Sequence, residues 1–211
     1  MAATKRKNIN PRIERKITRI SGVREVKQTF LIICEGVNTE PDYFNAFRLT
    51  SANVKAIGQG MGTLTLVQKA IIIKEQERQK GRTYNQNWVV FDKDDFPEND
   101  FNSAILLARQ NGFEVAYSNQ AFEFWFLLHF NLYQGALHRS RYEKMLSTLL
   151  GFVYTKKSGV SSKMFNALFP KQEQAINHAK TIMKQFDGNN PAQQESSTTV
   201  YRLVEELNKF L

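Results

Sequence analysis

Two acidic motifs stand where the composition of this 211-residue chain changes abruptly: Glu35, directly after the apolar run FLIIC, and Asp92 and Asp94, directly after WVVF. Short apolar runs rich in β-branched and aromatic residues read as buried strands. In open parallel sheets the loops at the carboxyl ends of strands converge on a ligand crevice, which places Glu35 and Asp92 at one end. Asp94, two residues on, faces the same point if its loop stays extended, because alternate side chains share a direction. Three carboxylates held together repel, and a divalent cation relieves that repulsion. Oxygen-only donors favour Mg²⁺ or Mn²⁺ over zinc. Such a cation suits phosphodiester cleavage, where it sits on the scissile phosphate while a base activates the attacking water. Either motif alone reads more simply as an acidic turn, and the weight lies on their combination.

The elements that must position these residues alternate between strand and helix. Strands are expected at 29–34, 53–57, 87–91 and 113–117. A helix through Phe44 and Phe47 starts at Thr39-Glu40-Pro41-Asp42, with Thr39 as N-cap. GQGMG (58–62) turns into a long helix reaching about residue 80, and a helix at 101–110 is closed by Asn111-Gly112. Residues 121–130 read as a buried helix. From about 139 onward the chain reads as helical, with breaks near Gly151, Pro170 and Asn189-Asn190-Pro191. This alternation predicts an α/β fold with a mostly parallel four-stranded sheet flanked by helices. The expected divisions are a basic arm (1–27), a sheet core (about 28–130) and a helical extension (about 131–211).

Composition sets outer limits. Hydrophobic residues at 42% and charged residues at 23% suit a folded domain rather than a disordered chain. The single cysteine, Cys34, excludes a disulfide framework or a cysteine zinc cluster within one chain and reads as a small core residue. No run approaches the ~20 apolar residues that span a bilayer, and no signal-peptide pattern follows the basic start, so a cytoplasmic protein is expected. The net charge is +9, but nine of the cations lie in residues 1–27 against only Glu14 and Glu25, leaving the remainder nearly neutral. That arm suits phosphate contacts with DNA or RNA, and equally a solubilising or partner-docking tail.

A strand ending in Glu35-Gly36 and a later strand ending in Asp92-Lys93-Asp94 resemble the Toprim domain of topoisomerases, bacterial primases and OLD-type nucleases. The stretches LIICEGVNTEPDYF, VVFDKDDF and YSNQAFEFWFLLHF, and more weakly NNPAQQESSTTVYRLVEEL, resemble the RloB family. One position departs from that pattern: Gln120 follows Ser-Asn where proline is expected. The resemblance implies a Toprim-type, Mg²⁺- or Mn²⁺-dependent nuclease of antiphage or abortive-infection systems, acting on DNA or RNA, transfer RNA included, with a partner ATPase from the same operon. It also implies that Asp92 and Asp94 hold metal while Glu35 is a ligand or general acid/base. A second cation finds donors in Asp95 or Glu123. Oligomeric state is open, a homo-oligomer among the options.

Four further features bear on the site. Glu123, set among aromatics, needs a metal, a basic residue or a helix end as partner. Lys156 and Lys157 suit a substrate phosphate or transition-state charge, or a solvated helix end. His129 shares a helical face with Phe122 and Phe126 and reads as a core histidine. The glycine turn lacks the Lys-Ser/Thr of a phosphate-binding loop, which argues against ATP hydrolysis by this chain. The runner-up function is a non-catalytic subunit that binds nucleic acid or a partner on the same scaffold.

Overall fold

The computed structural model describes residues 27–95 and 97–211. The basic arm therefore lies outside the described residues, apart from Lys27. All four expected strands form and run parallel: β1 (Gln28–Cys34), β2 (Ala52–Gly58), β3 (Gln86–Asp92) and β4 (Glu114–Asn119). A fifth, β5 (Ser197–Thr198), pairs antiparallel with β4 and gives the order β2-β1-β3-β4-β5. The sheet is thus five-stranded, not four-stranded. Two polar residues carry no hydrophobic run for a sequence reading to find. Contacts between distant segments hold them instead: the Ser118 and Thr198 hydroxyls meet at 3.0 Å, and Thr199 N–H donates to Tyr117 O at 2.8 Å.

The central strands are buried on both faces, which explains their continuous rather than alternating hydrophobicity. Phe30, Ile32, Cys34, Trp88 and Val90 face one core, with α1 (Thr39–Asn45), α4 (Glu123–Leu128), α5 (Tyr142–Leu150), α6 (Ser162–Leu168), α7 (Gln172–Met183) and α8 (Val200–Asn208). Leu31, Ile33, Val89 and Phe91 face the other, with α2 (Thr63–Gln79) and α3 (Glu98–Gln110). On the first face Tyr43 packs edge-on against Phe44, Phe47, Phe122 and Phe126, a geometry favoured by the ring quadrupoles.

Several boundaries differ from expectation. Thr39 is the first helical residue of α1 rather than its N-cap; its hydroxyl instead donates to Lys156 O at 3.4 Å. Helix α1 ends at Asn45, before Phe47, and the expected helix at 121–130 shrinks to the six residues of α4. Gly151 (φ 73°) ends α5 and Gly112 (φ 71°) follows α3, both left-handed as glycine permits. Among the described residues no helix is long and apolar enough to cross a membrane.

Candidate active site

Crossovers on both faces of the sheet gather four loops at the carboxyl ends of β1, β3 and β4. There they form a cleft of about 310 Å³ lined by Glu35, Glu40, Asp92, Asp94, Glu123 and Lys156, with Lys157 at its edge. Sequence reasoning selected five of these six. Glu35 follows β1 directly; its N–H donates to Val90 O at 2.9 Å, and its Oε2 accepts from Asp92 N–H at 2.9 Å. The two motifs are thereby tied across adjacent strands. Asp92 is the last residue of β3 and is buried, with Oδ1 lacking any hydrogen-bond partner among the described residues. Glu123 opens α4 and is 1% exposed.

Asp94 arrives by a different route from the one expected. Its φ of 43° is left-handed, so the loop turns rather than staying extended. A network around Gln120 supports this turn. Asp94 N–H donates to Gln120 O at 3.2 Å, and Gln120 Oε1 accepts from Arg139 N–H at 2.9 Å. The Arg139 guanidinium then bridges the Asp94 and Asp95 carboxylates. Gln120 has φ 96°, which proline's ring forbids, so this loop in its present form could not hold the proline expected at that position. Asp95 is 85% exposed on its side chain and does not line the cleft, so the structure leaves this candidate ligand at the rim.

Glu40 was missed. The first turn of α1 places it beneath Gly36, whose N–H donates to Glu40 Oε1 at 3.2 Å. A Cβ at position 36 would lie 2.1 Å from Glu40 Oε2. A side chain at position 36 would therefore displace the Glu40 carboxylate from its place under the turn, and the glutamate five residues after Glu35 is the signal that could have revealed the contact. The glycine turn acquires a similar role: a Cβ on Gly58 would lie 2.3 Å from Gly36 O and 2.5 Å from Val37 Cα. It lets β2 approach the turn that carries Glu35.

Glu123 resolves to an ordered basic partner. Lys156 Nζ lies 3.2 Å from its Oε2, and the buried Tyr154 hydroxyl donates to its Oε1 at 3.0 Å. Lys156 is itself anchored, its N–H donating to Glu143 Oε1 at 2.9 Å. His129 is fully buried with Nδ1 2.9 Å from Trp125 O, and burial lowers its pKa to about 4, as a core histidine requires. Cys34 is buried within β1.

Electrostatics mark the cleft as short of positive charge. Burial pushes the Glu35 carboxyl from 4.5 up to about 7 against the pull of the Asp92 N–H, with Asp94 and Glu40 adding to the rise. Asp92 is raised well above its ordinary range, by burial first and then by Glu40 and Glu123; Glu40 is also raised, chiefly by burial. Burial alone would lower the Lys156 ammonium, but Glu123 and Asp92 outweigh it and hold it above its usual value. Among the described residues, no three His, Cys, Asp or Glu side chains stand in metal-holding geometry, and Arg139 engages Asp94. The donor chemistry nevertheless fits a hard divalent cation: oxygen ligands only, an orphaned buried Asp92 Oδ1, and mutually repelling carboxyls.

This electrostatic state has a measurable sign. Between 4.5 and about 7 the folded chain holds a proton on Glu35 that the unfolded chain has released. The stability contributed by Glu35 therefore falls as pH rises through that window, and Asp92 and Glu40 act in the same direction. Buried His129, lowered to about 4, acts in the opposite direction below about pH 6.5, so the carboxyls dominate above it. Thermal melts in chelator should show the melting temperature declining from about pH 6.5 to about pH 8, with Mg²⁺ flattening the decline. A flat or rising profile over that range in chelator would show that these carboxyls ionise freely.

A family described as RloB-like protein matches residues 30–207 of the chain. No curated protein and no solved structure matches it.

Proposed function

The chain belongs to the RloB-like family, and on that premise we propose that it is a metal-dependent nuclease of Toprim type that hydrolyses phosphodiester bonds in DNA or RNA. The observation that carries this reading is the convergence of Glu35, Glu40, Asp92, Asp94 and Glu123 on one cleft whose lining cations are Lys156 and Lys157. Glu35, Asp92 and Asp94 would hold Mg²⁺ or Mn²⁺, which when bound supplies Lewis acidity toward a scissile phosphate. Glu35 takes one of two roles, a third ligand to the cation or a general acid/base that transfers a proton to or from water or a leaving oxygen. Lys156, fixed at Nζ by Glu123 and at its backbone by Glu143, presents a positive charge at the cleft where negative charge grows in the transition state. The family resemblance further supports a role in antiphage defence, with a partner ATPase controlling a toxic activity.

A second reading, a non-catalytic nucleic-acid or partner-binding subunit, draws on the Arg139 bridge, which already neutralises Asp94 and Asp95. One assay separates the two. Labelled single-stranded, double-stranded and transfer-RNA substrates are incubated with Mg²⁺ or Mn²⁺, with and without any ATPase found encoded beside it, using the unmodified chain, Glu35→Ala and Asp94→Ala. The nuclease reading expects cleavage that disappears in both variants. Absence of cleavage under every condition, with nucleic-acid binding intact in the variants, favours the second reading.

A further inference from the structure

Positive charge is unevenly placed in the described chain. Residues 131–170 carry Arg139, Arg141, Lys144, Lys156, Lys157 and Lys163 against Glu143 alone, whereas residues 28–130, which supply β1 to β4, carry more acids than bases. This basic segment forms one side of the acidic cleft, through Lys156, Lys157 and Arg139. It also forms a second cleft of about 500 Å³ against α5, lined by Tyr133, Arg141, Lys144, Met145, Thr148 and Leu149.

One 3₁₀ turn, Arg139–Arg141, links the two clefts through the residues at its ends. At one end of the turn Arg139 grips Asp94 and Asp95; two residues on, roughly 4 Å along its axis, Arg141 lines the second cleft. Arg141 and Lys144 are exposed and form no ion pair among the described residues, so their charges are open to a ligand. Beside them Tyr133, Met145 and Leu149 are half-buried and offer a ring and two flexible apolar side chains. Thr148 turns its hydroxyl back to Lys144 O at 3.1 Å, which leaves its methyl group for contact.

Cations over an apolar and aromatic floor fit a ligand that is both anionic and flat-faced. Single-stranded nucleic acid has these properties, because its phosphates pair with Arg and Lys while its unpaired bases stack on aromatic rings. A duplex hides those base faces. Resting on the nuclease reading above, we infer that the cleft on α5 is a flanking-nucleotide site that holds single-stranded DNA or RNA leading to the carboxylate cleft.

The test is fluorescence anisotropy of the full chain with labelled single-stranded DNA, single-stranded RNA and duplex DNA, in chelator so that no cleavage occurs. Arg141→Ala with Lys144→Ala should weaken single-strand binding on the order of tenfold and make the slope of log K against log salt shallower by about 1.4. Tyr133→Ala should weaken it on the order of tenfold with the slope unchanged. Lys184→Ala, an exposed lysine away from this cleft, should bind as the unmodified chain does. The DNA and RNA arms show which sugar the site accepts. The inference is overturned if the unmodified chain does not bind, if the cleft variants bind undiminished, if duplex binds more tightly than single strands, or if poly-glutamate competes as well as an oligonucleotide. The last result would make an acidic protein the occupant. Binding at this cleft by a chain that never cleaves would sink the nuclease reading alone, whereas cleavage and binding undiminished in the cleft variants would sink this inference alone.

Discussion

Replacing Asp92 with asparagine is expected to abolish cleavage and, at the same time, to raise the melting temperature of the cation-free protein. Asp92 is buried at the end of β3 with Oδ1 unpartnered, and its ionised form is disfavoured by burial and by the neighbouring Glu40 and Glu123. Asparagine has nearly the same shape and removes one member of the repelling set, so the folded state loses an electrostatic cost. The same change removes the one buried carboxylate among the proposed ligands Glu35, Asp92 and Asp94. Loss of rate should reach on the order of 10³-fold, roughly 4 kcal/mol of transition-state stabilisation. A site that trades stability for chemistry behaves in this way, whereas a structural aspartate would lose stability on substitution. Thermal melts and cleavage rates on one preparation decide between them; a lower melting temperature with cleavage retained would show that Asp92 is a structural residue.

The second large effect is expected at Gly58→Ala, which lies outside the carboxylate set. Its added methyl group would meet backbone rather than a flexible side-chain tip, namely Gly36 O and Val37 Cα. Neither can move without shifting the turn that holds Glu35 and its bond to Asp92 N–H. Overpacking of this kind costs about 1–3 kcal/mol, and a misplacement near 1 Å can lower a rate on the order of 10²-fold. Gly81→Ala is the comparison: nothing lies within 4 Å of its added Cβ, although its φ of 73° still disfavours alanine. Gly58→Ala should therefore lose both stability and cleavage, while Gly81→Ala should lose only a little stability. Equal activity in the two variants would disconnect the glycine turn from the site.

The parts of this architecture visible in the sequence were those written in contiguous residues. FLIIC and WVVF are continuous apolar runs because both faces of β1 and β3 are covered, and their abrupt acidic ends mark the carboxyl edge of the sheet. Glu35, Asp92 and Asp94 could be chosen on that basis, Glu123 as a carboxylate set among aromatics and Lys156 as a cation suited to a phosphate, and all five line one cleft. What escaped depends on contacts between segments far apart. Arg139 reaches Asp94 across 45 positions, and β5 exists because two hydroxyl-bearing residues find β4 from 80 positions away. Glu40 escaped for a local reason, since a glutamate in the first turn of a helix already has an explanation in the helix dipole. Only the absence of space for a Cβ at Gly36 exposes its second role. The left-handed backbones of Asp94 and Gln120 were equally invisible, because neither residue type demands that conformation.

The most direct test of the central claim is a calorimetric titration of Mn²⁺ into the chelator-treated full chain and into Asp92→Asn, read alongside cleavage. The account predicts saturable Mn²⁺ binding by the unmodified chain that is lost in Asp92→Asn together with cleavage. Cleavage by the unmodified chain without Mn²⁺ binding, or Mn²⁺ binding that persists unchanged in Asp92→Asn, would contradict it.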